Sequence, residues 1–157
     1  MKKITPFLWF DGQAEEAMKF YTSIFKNSKK GAISRYGEAG PGKKGSVLTA
    51  AFTLAGQEFI GLNGGPHYKF TPAVSFSIDC KSQKEVDYYW EKLSAGGKKI
   101  QCGWLEDKFG LSWQVVPTVL HKFLQDKDPE KSKRVMEAML KMQKLEIEVL
   151  KQAYKGK

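Results

Sequence analysis

FDGQAEEAMKFYTSI at residues 10–24 and IDCKSQKEVDYYWEKL at residues 78–93 read as two copies of one unit. Each opens on an apolar residue and an aspartate, takes a polar step, and enters a helix with an aromatic pair. The pairs are Phe20-Tyr21 and Tyr89-Trp90. Glu16 and Glu85 stand 69 residues apart, and so do Ile24 and Leu93. Self-similarity at a fixed offset decides fold class before any local propensity does. In 157 residues, two copies are too few for a solenoid, where each repeat leans on several neighbours. They predict a pseudo-twofold domain with a cleft between matching halves.

The pattern extends outward from each copy. Residues 4–10 are an apolar strand. In 13–25, Ala14, Ala17, Met18, Tyr21 and Ile24 recur at the helical period. Residues 31–37 read as a strand, and 38–45 as a loop rich in glycine. Residues 46–54 and 57–63 form a hairpin about Ala55-Gly56. In the second copy, 73–79 is a strand and 82–95 a helix closed by Gly96-Gly97. One or two short strands fall in 98–106, a turn at 107–110 and a last strand at 111–116. Residues 1–117 are thus expected to be a single domain of two βαβββ repeats, about 4–66 and 72–117.

Residues 118–157 differ in kind. Val119, Leu120, Phe123 and Leu124 suggest a short helix, and Asp128-Pro129-Glu130 is a strong helix start. Val135, Met139, Met142, Leu145 and Leu150 form a stripe that needs burial, on its own domain or on a dimer partner. A homodimer is expected.

Hydrophobic content of 41% and charged content of 27% describe a globular chain. No apolar run approaches the roughly 20 residues of a membrane span. MKKITPFLWFDG lacks the apolar core and cleavage site of a secretory signal. A cytoplasmic location is expected, with Cys80 and Cys102 as packed thiols. The net charge of +9 comes mostly from scattered lysine, with only Arg35 and Arg134 to read phosphates or guanine edges. Neither a specific nucleic-acid partner nor a membrane is expected.

TPFLWFDGQAEEAMKFYTSIF, LNGGPHYKF, VDYYWEKLSAGG and QCGWLEDKFGLSWQVVP together resemble the PhnB-like family, whose members often carry the name 3-demethylubiquinone-9 3-methyltransferase. That family is a branch of the glyoxalase/bleomycin resistance/dioxygenase, or vicinal oxygen chelate, superfamily. The resemblance spans about residues 4–155. It implies an α+β fold of two βαβββ repeats with a C-terminal helical tail. The methyltransferase name meets a difficulty in the residues. Asp11-Gly12-Gln13-Ala14 follows the first strand, with no further glycine until Gly31, so the glycine-rich nucleotide turn is missing. No cofactor is expected.

Active superfamily members hold one divalent metal on four strand residues. The resemblance places those positions at Thr5, Asn63, Ala73 and Gln114. These offer no imidazole, carboxylate or thiolate, so no metal is expected. Strand alternation sets Trp9, Phe7 and Thr5 towards the cleft, opposite Leu8 and Phe10. Trp9, Asn63 and Gln114 are the candidate lining residues of an apolar small-molecule site, with His67 as a lid. Trp113 is expected to face the helix. Three readings follow: a metal-independent small-molecule binding protein with an unknown ligand, an enzyme with an atypical metal site or a working His67, and a structural or regulatory dimer with a vestigial cleft.

Overall fold

The computed structural model describes residues 2–157. The chain divides into two compact units, the first ending at Phe70 and the second spanning Thr71–Lys157. The C-terminal tail therefore belongs with the second repeat.

The first unit runs β1 (Phe7–Phe10), α1 (Ala14–Ile24), β2 (Ser28–Arg35), β3 (Val47–Leu54) and β4 (Gln57–Asn63). Its sheet is ordered β1-β4-β3-β2, with β1 parallel to β4 and the other pairs antiparallel. Helix α1 forms because its apolar residues share one side, and Ala14, Ala17, Met18, Tyr21 and Ile24 are all buried. Tyr21 meets Phe52, which stacks on Phe59 at 5.5 Å. On β1, Leu8 and Phe10 join this core while Phe7 is left 56% exposed. The β3–β4 hairpin turns at Ala55 (φ +48°) and Gly56 (φ +83°). Two positive φ angles match the twist of the flanking strands, and glycine takes that backbone without strain.

The second unit repeats the order with β5 (Ser75–Cys80), α2 (Gln83–Ser94), β6 (Lys98–Lys99), β7 (Trp104–Glu106) and β8 (Ser112–Pro117). Its sheet is ordered β5-β8-β7-β6, again with the first and last strands parallel. Helix α2 buries Val86, Trp90 and Leu93. It is capped by the Ser82 hydroxyl, which accepts from Glu85 N at 3.2 Å. Trp113 and Val115 are buried as the alternation predicts. Burial pushes the Cys80 thiol up to about 12. The strand ends differ from the sequence reading. β2 begins at Ser28 rather than 31, and β1 and β5 begin later than residues 4 and 73.

Helices α3 (Thr118–Leu124), α4 (Pro129–Leu140) and α5 (Ile147–Lys155) complete the second unit. The stripe is buried within the chain: Val135, Leu145 and Leu150 cluster with Val116, Leu120 and Phe123, and Met139 and Met142 pack against them. At about 1.5–3 kcal/mol for each large apolar side chain, this burial satisfies the tail without a partner. The stripe is not one helix. Met142 O and Gln143 O accept from Cys102 N and Gly103 N, so these carbonyls serve the β6–β7 connection instead of a helical ladder. Gln83 fastens the same segment. Its Oε1 accepts from Ile147 N at 2.8 Å, capping α5, while its Nε2 donates to Leu145 O. Arg134 donates to Ala153 O and Tyr154 O, closing the far end of α5. Lys144 pairs with Asp87 at 2.9 Å. Hydrogen bonds from Gln83 and then Lys144 hold the Asp87 carboxyl below its usual range.

Candidate functional site

Each sheet has a helix on one face. In the first unit the alternation of β1, β3 and β4 assigns the other face. Thr53 pairs with Glu58, Ala51 with Ile60, and Thr49 with Leu62, while Phe7 pairs with Ile60 and Trp9 with Leu62. Residues two apart share a face, so Phe7, Trp9, Ile60, Leu62 and Ala51 form one apolar surface opposite α1, edged by Thr49, whose hydroxyl is hydrogen-bonded to that of Ser34. No helix of this unit covers it. A hollow of about 350 Å³ lies at one end, lined by Thr5, Lys29, Thr53, Glu58 and Ile60 among others. At the other end Trp9 carries the loop after β4. Its Nε1 donates to Gly65 O at 2.8 Å, and Tyr68 meets its ring edge-on at 4.9 Å. A Cβ on Gly64 would stand 2.3 Å from the Trp9 ring, so only glycine lets the loop lie there.

Asn63 is the residue the structure moves. Sequence counting equated it with Gln114, but the strand pairing differs. Asn63 sits opposite Phe10, whereas Gln114 sits opposite Ser77, so the first-unit counterpart of Gln114 is Leu62 opposite Trp9. Asn63 faces α1 and is 9% exposed. Its Oδ1 accepts from Ala14 N at 2.9 Å and its Nδ2 donates to Val47 O at 3.0 Å. Its main-chain oxygen accepts the Tyr36 hydroxyl. Gln13 provides no side-chain cap for α1, so Asn63 supplies one from a distant strand.

Asn63 and His67 do come together. Both line a hollow of about 440 Å³, with Asp11, Glu15, Tyr36 and Ser46, where the start of α1 meets the β2–β3 and β4–β5 connections. His67 is exposed there. In the second unit, Gln114 Nε2 donates to Ser75 Oγ at 3.0 Å, on the sheet face opposite Trp113 and Val115. Ala73 is exposed, ahead of β5. Thr5 Oγ1 and Ser112 Oγ are buried side-chain atoms without a hydrogen-bond partner.

Sequence reasoning missed Asp107, which it assigned only to a turn. The residue is 2% exposed. Its Oδ1 accepts from Phe109 N and Leu111 N, and its Oδ2 from Trp113 Nε1 at 2.9 Å. A carboxylate with donors on both oxygens fixes the β7–β8 turn and the tryptophan beneath it. Lys29, Thr53 and Glu58 were also missed. Thr53 and Glu58 could have been paired by counting back from the two-residue turn at Ala55-Gly56.

Paired βαβββ units of this topology, each with its helix on one sheet face, define a glyoxalase/bleomycin resistance fold protein. A fosfomycin resistance protein from Listeria monocytogenes shares the fold, at 18% identity and a TM-score of 0.55 over 80% of this chain and 98% of that one. A Pseudomonas aeruginosa protein does so at 19% identity and TM-score 0.62, over 74% and 98% of the two chains. The chain matches the sequence model of the 3-demethylubiquinone-9 3-methyltransferase family over residues 2–116, and it belongs to that family, the PhnB-like one. A Bacillus cereus structure called PhnB protein, under the same family name, is 44% identical, with TM-score 0.67 over 74% of this chain and 99% of that one. Comparison with curated proteins gives no match.

The divalent metal that the fold implies does not suit these residues. Thr5 offers one buried hydroxyl, and both amide atoms of Asn63 are hydrogen-bonded on the helix side. Ala73 offers no donor, and Gln114, whose Nε2 donates to Ser75 Oγ, offers only a neutral amide oxygen. Among the described residues no three His, Cys, Asp or Glu side chains gather in a way that could hold a metal. Neutral oxygens alone compensate poorly for the loss of a cation's hydration shell.

Proposed function

We propose that this PhnB-like protein is a metal-independent small-molecule binding protein that takes its ligand on the open sheet face opposite α1. One observation carries the reading: Phe7, Trp9, Ile60 and Leu62 make a contiguous apolar surface that no helix of the unit covers, with Phe7 56% exposed. Exposed apolar patches of this kind mark binding surfaces, and a few polar groups at the margin, here Thr5 and Thr53, fix orientation. Methyl transfer is not part of the proposal, because the β1–α1 turn at Asp11-Gly12-Gln13 has no glycine-rich cradle for a nucleotide-bearing donor. The protein works in the cytoplasm as a homodimer, whose formation would shelter apolar surface that the tail leaves untouched. Among the described residues no helix is long and apolar enough to cross a membrane.

Thermal-shift screening tests the reading. Apolar and aromatic small molecules are expected to raise the melting midpoint, since a ligand that binds only the folded state stabilises it. Zinc, nickel and ferrous iron are expected to leave it unchanged. A stoichiometric metal retained through dialysis would refute metal independence. Light scattering at micromolar concentration tests the dimer, and a monomer would overturn it.

A further inference from the structure

We propose that the charged end of the first sheet's open face binds the carboxylate head of an amphipathic small molecule whose apolar body extends along the same face to Trp9. The inference rests on the reading above that this face holds a ligand, and it assigns the ligand's chemical class and orientation.

The face is graded from polar to apolar. At one end lie Lys29, Thr53, Glu58 and Thr5, with Lys29 paired to Thr53 and Thr53 to Glu58. The next row is Gly31, Ala51, Ile60 and Phe7, and the third is Thr49, Leu62 and Trp9. Alternate residues on a strand lie about 6.6 Å apart, so Thr5 to Trp9 spans about 13 Å. The hollow of about 350 Å³ covers the polar row and reaches Ala51 and Ile60 in the next. A ligand seated there has its polar group among the hydroxyls and its remainder over aliphatic and aromatic side chains.

The sign of the head follows from the charges. Lys29 has no ion pair among the described residues. Glu58 is already engaged, because its Oε2 accepts from Lys2 N at 3.1 Å. The Lys2 ammonium is anchored nearby on Gly56 O at 2.8 Å. Among the charged groups that line the hollow, Lys29 is unpaired while Glu58 is already engaged, and an anion is favoured over a cation. The hydroxyls complete the recognition. Thr5 Oγ1 is buried at the wall of the hollow without a partner, and leaving a buried hydroxyl unsatisfied is costly. Rotation about its χ1 presents the proton to a carboxylate oxygen. Thr53, on a neighbouring strand, lines the same hollow and offers a second hydroxyl.

Calorimetric titration of the full chain with decanoate and decylammonium below their micelle concentrations, and with decan-1-ol below its solubility limit, tests this. The three share one apolar body and differ only in the head. Decanoate is expected to bind about tenfold tighter than decan-1-ol, and decylammonium more weakly than either. Lys29→Gln should bring decanoate close to decan-1-ol and leave decan-1-ol unchanged. Thr5→Val removes a hydroxyl that has no protein partner, so it should fold normally and weaken decanoate about fivefold. Three probes of equal affinity, or a decanoate affinity indifferent to Lys29→Gln, would overturn the head assignment while leaving the apolar face as a binding surface. Failure of all three to bind would overturn both.

Discussion

Replacing Asn63 by alanine should cost about 2–4 kcal/mol, although the residue sits at a strand end and carries no charge. The amide makes two connections. Its Oδ1 caps α1 through Ala14 N, and its Nδ2 satisfies Val47 O. Loss of a side-chain cap costs about 0.5–2 kcal/mol. The part-buried Val47 O, left without this hydrogen bond, adds about 1–2 kcal/mol. Equilibrium urea unfolding followed by tryptophan fluorescence would read the change as a lowered midpoint at unchanged slope. In a chain of this size the melting midpoint should fall by about 4–16 °C, at 2–4 °C per kcal/mol. Binding to the open sheet face should survive in the folded fraction, because Asn63 points the other way. A loss below about 0.5 kcal/mol, the range of ordinary surface changes, would refute the capping role. It would return Asn63 to the ligand-facing side.

Other outcomes follow from the same geometry. Asp107→Ala should destabilise by about 3 kcal/mol or more in urea, since three donors lose a buried charged acceptor; a near-neutral result would remove its structural role. Ala55→Asn should stabilise by about 0.5–1 kcal/mol, because asparagine tolerates the positive φ of the hairpin turn better than alanine, and an unchanged midpoint would count against the turn geometry. The Tyr154–Asp126 hydrogen bond lowers the Asp126 carboxyl and raises the Tyr154 phenol. Its contribution is lost as pH falls through the depressed carboxyl value, and again as pH rises through the raised phenol value. Tyr154→Phe should therefore flatten both flanks of the stability–pH profile, and superimposable profiles would exclude the linkage. Ending the chain at Asp126 should leave Val116, Leu120 and Phe123 uncovered and produce an unstable, aggregating protein; a well-folded truncated chain would show that the tail cluster contributes little.

Element order was legible because local spacing carries it. Ala14, Ala17, Met18, Tyr21 and Ile24 announce α1 by period alone, and the 69-residue offset announces its twin. Family membership was legible for a similar reason, through four motifs in fixed order. What the sequence concealed were roles that depend on which strands meet. Asn63 is a helix cap only because β4 lies beside β1, bringing its amide to a helix 49 residues earlier in the chain. Asp107 looks like a turn residue until β8 folds back and Trp113 presents its indole N–H. The tail's apolar stripe was visible, but its destination was not. Gln83, a polar residue in the first turn of α2, directs the tail home by holding Leu145 and Ile147. No local pattern distinguishes that glutamine from any surface one.

The placement of the tail with the second repeat has a consequence for synthesis on the ribosome. The first unit ends at Phe70 and has its own sheet, helix and core, so the whole of it has been synthesised once that residue emerges. Its sibling must wait for Leu150, which closes the cluster under Val116 and Phe123. At roughly 5–20 residues per second, about 4–16 s separate the completion of the two. During that interval a finished sheet bearing Phe7, Trp9 and Leu62 is tethered to an unfinished neighbour whose own apolar residues are still bare. Unfinished chains with bare apolar surface are prone to associate, so the tail, made last, is the segment whose arrival ends that exposure in the second unit.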